Sequence, residues 1–150
     1  INSWIMGMHL ESLGVRMERH CANALKVAQW LSADPRISWV SFPGLEEDKY
    51  HALAEKYMPN GTCGVISFGV PGGREKVSAF LDHLKMVSIA THVADARSCT
   101  LYPAGTTHRQ LTEEQLVEAG VGIDLVRLSC GIENADDIIT DLDQALAAVQ

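Results

Sequence analysis

Apolar residues follow two different spacings along this chain, and the switches between them mark out the elements. From Asn2 to Ala33 the spacing is helical. Met17, Cys21, Ala24, Leu25, Ala28 and Leu31 recur every three or four positions and predict one buried face. Gly14 is a place for this helix to bend or divide, and Asp34-Pro35 predicts its end, since a residue before proline is pushed out of helical geometry. Ile37 to Phe42 (ISWVSF) is a short run of β-formers closed by the turn Pro43-Gly44. Glu47 to Met58 predicts a surface helix stopped at Pro59-Asn60-Gly61.

Cys63 to Val70 (CGVISFGV) is apolar almost throughout, the pattern of a central strand covered on both sides. After Pro71-Gly72-Gly73, the stripe Val77, Phe80, Leu81 and Leu84 predicts another helix. MVSIAT and SCTLY are two short strands flanking the polar stretch HVADAR, and PAGTTHRQL is a loop. Thr112 with Gln115 three residues on predicts a capping box. GIDLVRLSC alternates as a last strand. Asn134 then predicts a helix cap, with Asp136 and Asp137 in the first turn, where the helix dipole favours carboxylates. Ala135, Ile138, Ile139, Leu142, Ala145, Leu146 and Val149 form the buried face of that final helix.

Helices and strands in this order predict a single domain, an α/β (α+β) two-layer sandwich with four or five largely antiparallel strands and helices on one face. With 150 residues, 47% of them hydrophobic, the chain is large enough for a real core. The net charge of −7 argues against nucleic acid or an anionic membrane surface as a partner. No apolar run approaches the roughly 20 residues of a bilayer span, and no signal-peptide pattern opens the chain. Four scattered cysteines, none in a C-x-x-C pair, suggest reduced thiols in a cytoplasmic protein. The start at Ile1, inside an apparent helix, predicts a fragment of a longer polypeptide.

Arg127 is the first candidate for chemistry. In the last strand Ile123, Leu125, Arg127 and Ser129 share one face, and Val126, Leu128 and Cys130 share the other. A guanidinium on a mostly apolar face requires a carboxylate or phosphate partner, or a route to solvent, because an unpaired buried charge is costly. An internal ion pair, a snorkelling arginine and a ligand carboxylate gripped by the planar fork all satisfy that demand. His92, Asp95 and His108 fall in polar loops, but their spacing matches no standard metal set. PGGRE lacks the phosphate-loop pattern, and no G-x-S-x-G elbow is present.

Several stretches together resemble the Cys/Met-metabolism pyridoxal-phosphate (PLP) enzymes: GVRMERHCANALKVAQWL, WVSFPGL, GTCGVISFGVPGG, YPAGTTHRQL and VRLSCGIENADDIITDLDQAL. The wording is nearest to the O-acetylhomoserine sulfhydrylase branch, and the arginine strand followed by G-I-E is its most specific part. The resemblance implies the small C-terminal domain of the aspartate-aminotransferase-like PLP fold, with residues 1–33 a long helix arriving from a missing large domain. It implies that Arg127 holds the substrate's α-carboxylate, with Thr107 beside it. It places His92-Val93-Ala94 where the family carries a small hydrogen-bonding residue and, two positions on, a glycine. His92 is thus a third substrate-binding candidate, one whose charge state would make binding pH-sensitive.

The resemblance further implies γ-replacement on O-acetylhomoserine by sulfide or a thiol, in methionine and cysteine biosynthesis, by a homotetramer. Cystathionine γ-synthase and methionine γ-lyase activities, or a free-standing metabolite-binding or interaction module, are the alternatives. Family members bind PLP through a lysine in an S-x-T-K segment, and none of Lys26, Lys49, Lys56, Lys76 and Lys85 lies in one. The expectation is therefore a carboxylate-binding piece with no catalytic, cofactor-binding or metal-binding residue of its own, inactive by itself.

Overall fold

A computed structural model describes residues 1–150. The chain forms α1 (Asn2–Glu11), α2 (Leu13–Ala33), β1 (Val40–Ser41), α3 (His51–Tyr57), β2 (Val65–Gly69), α4 (Gly73–Asp82), β3 (Ser88–Ile89), β4 (Cys99–Leu101), a 3-10 turn (Pro103–Gly105), α5 (Glu113–Glu118), β5 (Leu125–Ser129) and α6 (Ala135–Ala147). The strands make one five-stranded sheet in the order β1-β2-β5-β4-β3. Every pairing is antiparallel except β3 with β4. None of the helices is long and apolar enough to cross a membrane.

The two faces of β5 divide the molecule's work. Leu128 stands opposite Ile66 on one side and Thr100 on the other, and Val126 stands opposite Phe68. Ile66, Phe68, Val126 and Leu128 are fully buried, in one cluster with Ala24, Val27 and Leu31 of α2, Val77 and Phe80 of α4, and Ile138, Leu142 and Leu146 of α6. Phe68 and Phe80 meet edge to face, with centroids 6.2 Å apart. Each such side chain contributes about 1.5–3 kcal/mol by leaving water. On the opposite face, Arg127 is flanked by Ser67 and Leu101 in register.

Several boundaries differ from the sequence pattern. The first helix divides at Ser12 rather than Gly14. There Arg16 bridges the break, its Nη2 donating to the His9 carbonyl and its Nε to the Ser12 hydroxyl. The buried face of α2 also includes His20 and Asn23, whereas Met17 and Leu25 are exposed. Ile37 to Phe42 yields only Val40–Ser41 as strand, because the Asp48 carboxylate takes the Phe42 N–H. Asp48 also accepts the Tyr50 N–H, which delays the helix expected from Glu47 until His51. The Thr112–Gln115 capping box is formed, and Asn134 caps α6 by accepting the Asp136 N–H.

One buried carboxylate locks α6 to the sheet. Asp141 accepts the backbone N–H groups of Lys85, Met86 and Val87, three donors in the turn leading to β3. Burial pushes its carboxyl up, but these donors and Gln144 outweigh it and hold the group below the usual carboxylate range.

Candidate functional site

Arg127 lies in the middle of β5, half-buried, with Leu101 of β4 and Ser67 of β2 beside it. No Asp or Glu forms an ion pair with it. Its Nη2 donates to two uncharged acceptors, the carbonyls of Thr91 at 3.2 Å and His92 at 3.4 Å. Its Nε is buried and without a partner; only His20 Nε2 shares that condition in the chain. An internal ion pair is thus absent, and the fork keeps unspent capacity for a carboxylate.

The segment from Thr91 to Arg97, which supplies those carbonyls, has no regular structure of its own and is tied down by side chains. The Cys99 thiol donates to the His92 carbonyl at 3.0 Å, and the Ala94 N–H donates to the buried Ser129 hydroxyl at 3.1 Å. Burial pushes the Cys99 thiol up despite the nearby Arg127 charge, so it stays protonated and able to donate. Ala94 adopts φ 58°, a left-handed conformation, at the position where the resemblance led us to expect glycine.

The three substrate-binding candidates are not equally placed. His92 is brought to Arg127 through its main chain, while its residue is exposed. Thr107 is exposed on the loop after β4, its hydroxyl paired with His108 Nδ1 at 2.9 Å, and no hydrogen bond joins it to Arg127. Asp95 accepts the Arg97 N–H, which holds its carboxyl below the usual range. His92, Asp95 and His108 do not converge, and no cluster of three or more His, Cys, Asp or Glu side chains suits a metal ion.

A pyridoxal phosphate does not fit the residues of this chain. Lys26 pairs with Asp136 at the surface, Lys49 and Lys56 lie over the rings of Tyr50 and Tyr57, and Lys76 and Lys85 are half-buried and exposed. None is an enclosed amine of the kind that a Schiff base requires.

Residues that spacing alone did not single out complete the surroundings of Arg127. Beyond β5 the turn Gly131-Ile132-Glu133 joins three elements. The Glu133 carboxylate accepts the Ser98 N–H at 2.6 Å and the Ser98 hydroxyl at 3.0 Å. The Gly131 N–H donates to the same hydroxyl, and the Ile132 N–H to the Ala96 carbonyl. From α2, His20 bonds the Cys130 carbonyl, and Asn23 donates to the carbonyls of Gly131 and Glu133. The packing leaves no space for a side chain at position 131, where a Cβ would collide with Glu133 Oε2 and lie 2.5 Å from the Ala96 oxygen.

Similar proteins share this architecture. Residues 1–147 match the family described as Cys/Met metabolism PLP-dependent enzyme. An O-acetyl-L-homoserine sulfhydrylase of Leptospira meyeri is 47% identical over 97% of this chain and 33% of its own length. A homocysteine synthase of Schizosaccharomyces pombe is 47% identical over 91% of this chain and 32% of its own. A crystal structure described as an O-acetylhomoserine (thiol)-lyase of Campylobacter jejuni, containing a pyridoxyl-lysine phosphate, superposes with a TM-score of 0.90. It is 40% identical, and the match covers 97% of this chain and 35% of that one. The chain thus spans about a third of the length of these relatives. By sequence and by fold, it belongs to the PLP-dependent enzymes of Cys/Met metabolism.

Proposed function

We propose that this chain is the substrate-carboxylate-binding C-terminal domain of a PLP-dependent O-acetylhomoserine sulfhydrylase. The observation that carries the reading is the guanidinium of Arg127: half-buried, without a carboxylate partner, and with a buried Nε that has no acceptor. A substrate α-carboxylate supplies the missing charge and an acceptor for the terminal nitrogen that the two carbonyls leave free. Gripped at two points, the amino acid is fixed in orientation, and that is this domain's contribution to the replacement of the acetoxy group by sulfide or a thiol. Thr107 and the His92 side chain are the further contacts we assign to the carboxylate, each from a loop bordering β4.

The cofactor and its lysine belong to the remaining part of the longer enzyme, so the chain alone is inactive. Residues 1–33 are the connection to that part. In support, α1 buries none of its residues, and Trp4, Met6, Met8 and Leu10 are exposed along it. A cytoplasmic homotetramer is the assembly that the family resemblance implies.

The test is Arg127→Ala in the full-length enzyme. KM for O-acetylhomoserine rises and kcat/KM falls steeply, whereas near-normal kcat/KM overturns the assignment.

A further inference from the structure

We propose that Glu133 is a positioning residue for Arg127, acting through the segment from Thr91 to Ser98. The inference rests on the carboxylate-binding role of Arg127. That segment leaves the sheet after Ile89 and returns to it at Cys99, and on the way it presents the carbonyls of Thr91 and His92, the sole acceptors of the guanidinium. Where those carbonyls stand decides where the fork points.

The return end of the segment is fixed by Glu133. Its two carboxylate oxygens take both donors of Ser98, the N–H and the hydroxyl, and the same hydroxyl accepts the Gly131 N–H. Charge-assisted bonds of this kind are about twice as strong as neutral ones. No Lys or Arg pairs with the Glu133 carboxylate, so its charge serves the Ser98 donors. The other end of the clamp is rigid: the Glu133 carbonyl accepts from Asn23 and Arg19 of α2. Gly131 completes the device, because any side chain there collides with the Glu133 carboxylate and with the Ala96 carbonyl of the segment. Helix, clamp, segment and guanidinium form one connected chain of contacts. A carboxylate four residues past the end of β5 thereby sets the aim of an arginine inside that strand.

The test uses the full-length PLP-loaded enzyme, with Glu133→Ala, Glu133→Gln, Ser98→Ala and Arg127→Ala compared at matched cofactor content. Glu133→Ala raises KM for the amino-acid substrate about tenfold, the low end of what supporting-shell losses cause, while kcat changes little. Glu133→Gln recovers most of the loss, since its amide oxygen still accepts the Ser98 N–H. Ser98→Ala falls between, and keeps the question answerable if Glu133→Ala fails to fold. Inhibition by a substrate-like amino acid weakens in Glu133→Ala, whereas inhibition by the amine lacking its carboxylate does not. Hydrogen exchange at the Ala94 amide quickens in Glu133→Ala and is restored in Glu133→Gln.

Unchanged KM with only a lowered Tm, or equal weakening toward acid and amine, overturns the positioning role and leaves the Arg127 reading standing. An Arg127→Ala enzyme that still discriminates acid from amine overturns the carboxylate reading, and this inference with it.

Discussion

Arg127 Nη2 donates to the carbonyl of Thr91 at 3.2 Å, so a permanent cation is held in place by an acceptor that carries no charge. Its position is fixed and its charge is left unpaired. This combination predicts that the geometry of the fork, and not positive charge alone, matters. Arg127→Lys keeps the charge but loses the bidentate grip and the planar anchor to the two carbonyls. In the full-length enzyme kcat/KM for the amino-acid substrate should fall by roughly tenfold or more, as for loss of a charge-assisted hydrogen bond. Steady-state kinetics checks it, and a lysine enzyme equal to wild type sinks the bidentate argument.

Asp141 is the strongest stability prediction. Its carboxylate satisfies three consecutive backbone N–H groups, so Asp141→Asn turns an amide donor toward donors and costs about 2 kcal/mol or more. The pH dependence follows from the direction of its shift. The folded carboxyl titrates below the unfolded value of about 3.9, so its stabilisation is fully present above that value and is lost as pH falls through the folded one. Urea unfolding should show a constant gap between wild type and Asp141→Asn near neutral pH. The gap should shrink below about pH 4. A gap that widens in acid contradicts this account.

The thiols differ by environment. Burial, with Glu133 and the other cysteines adding, pushes Cys130 up to about 12, and burial also raises Cys99. Both are buried, whereas Cys21 and Cys63 are half-buried. Burial and the neighbouring Cys63 raise Cys21 as well, so access to the sulfur decides the order: Cys21 and Cys63 should label first in the folded chain, with Cys99 and Cys130 labelled only on unfolding. Mass spectrometry of digests at successive times reads this directly. Early modification of Cys130 counts against the packing described.

Much of the architecture was legible because period and caps are local. Alternation in β5 separated Arg127 from Leu128, and Thr112 and Asn134 announced their helices. Where the pattern misled, a polar side chain had a distant partner. His20 and Asn23 are buried because they bond the turn after β5, and Asp141 is buried because it receives the turn before β3. Their partners lie 54 to 110 residues away, and spacing within a helix carries no trace of them. Asp48 shortened a strand in the same way, although its target is only six residues distant. At the site, Arg127 was found from the conflict between its charge and its neighbours. Glu133 raised no such conflict: a glutamate just before a capped helix looks ordinary until Ser98 is placed against it.

Ala94 offers a test of the segment itself. Its left-handed conformation costs an L-residue roughly 1–2 kcal/mol, and the bond from its N–H to Ser129 holds it there. Ala94→Gly relieves the strain but widens the unfolded ensemble by about 0.4–1 kcal/mol, so a net gain of about 0.5 kcal/mol is expected. Ala94→Val adds a branched Cβ in a region where such residues are outliers and should lose more than about 1 kcal/mol. The ranking Gly, Ala, Val in urea midpoint should hold at constant m-value, so that the midpoints report stability and not a change in the surface exposed on unfolding. Should the valine protein equal the parent, the segment is free to leave this conformation, and the carbonyls that hold Arg127 are not fixed by it.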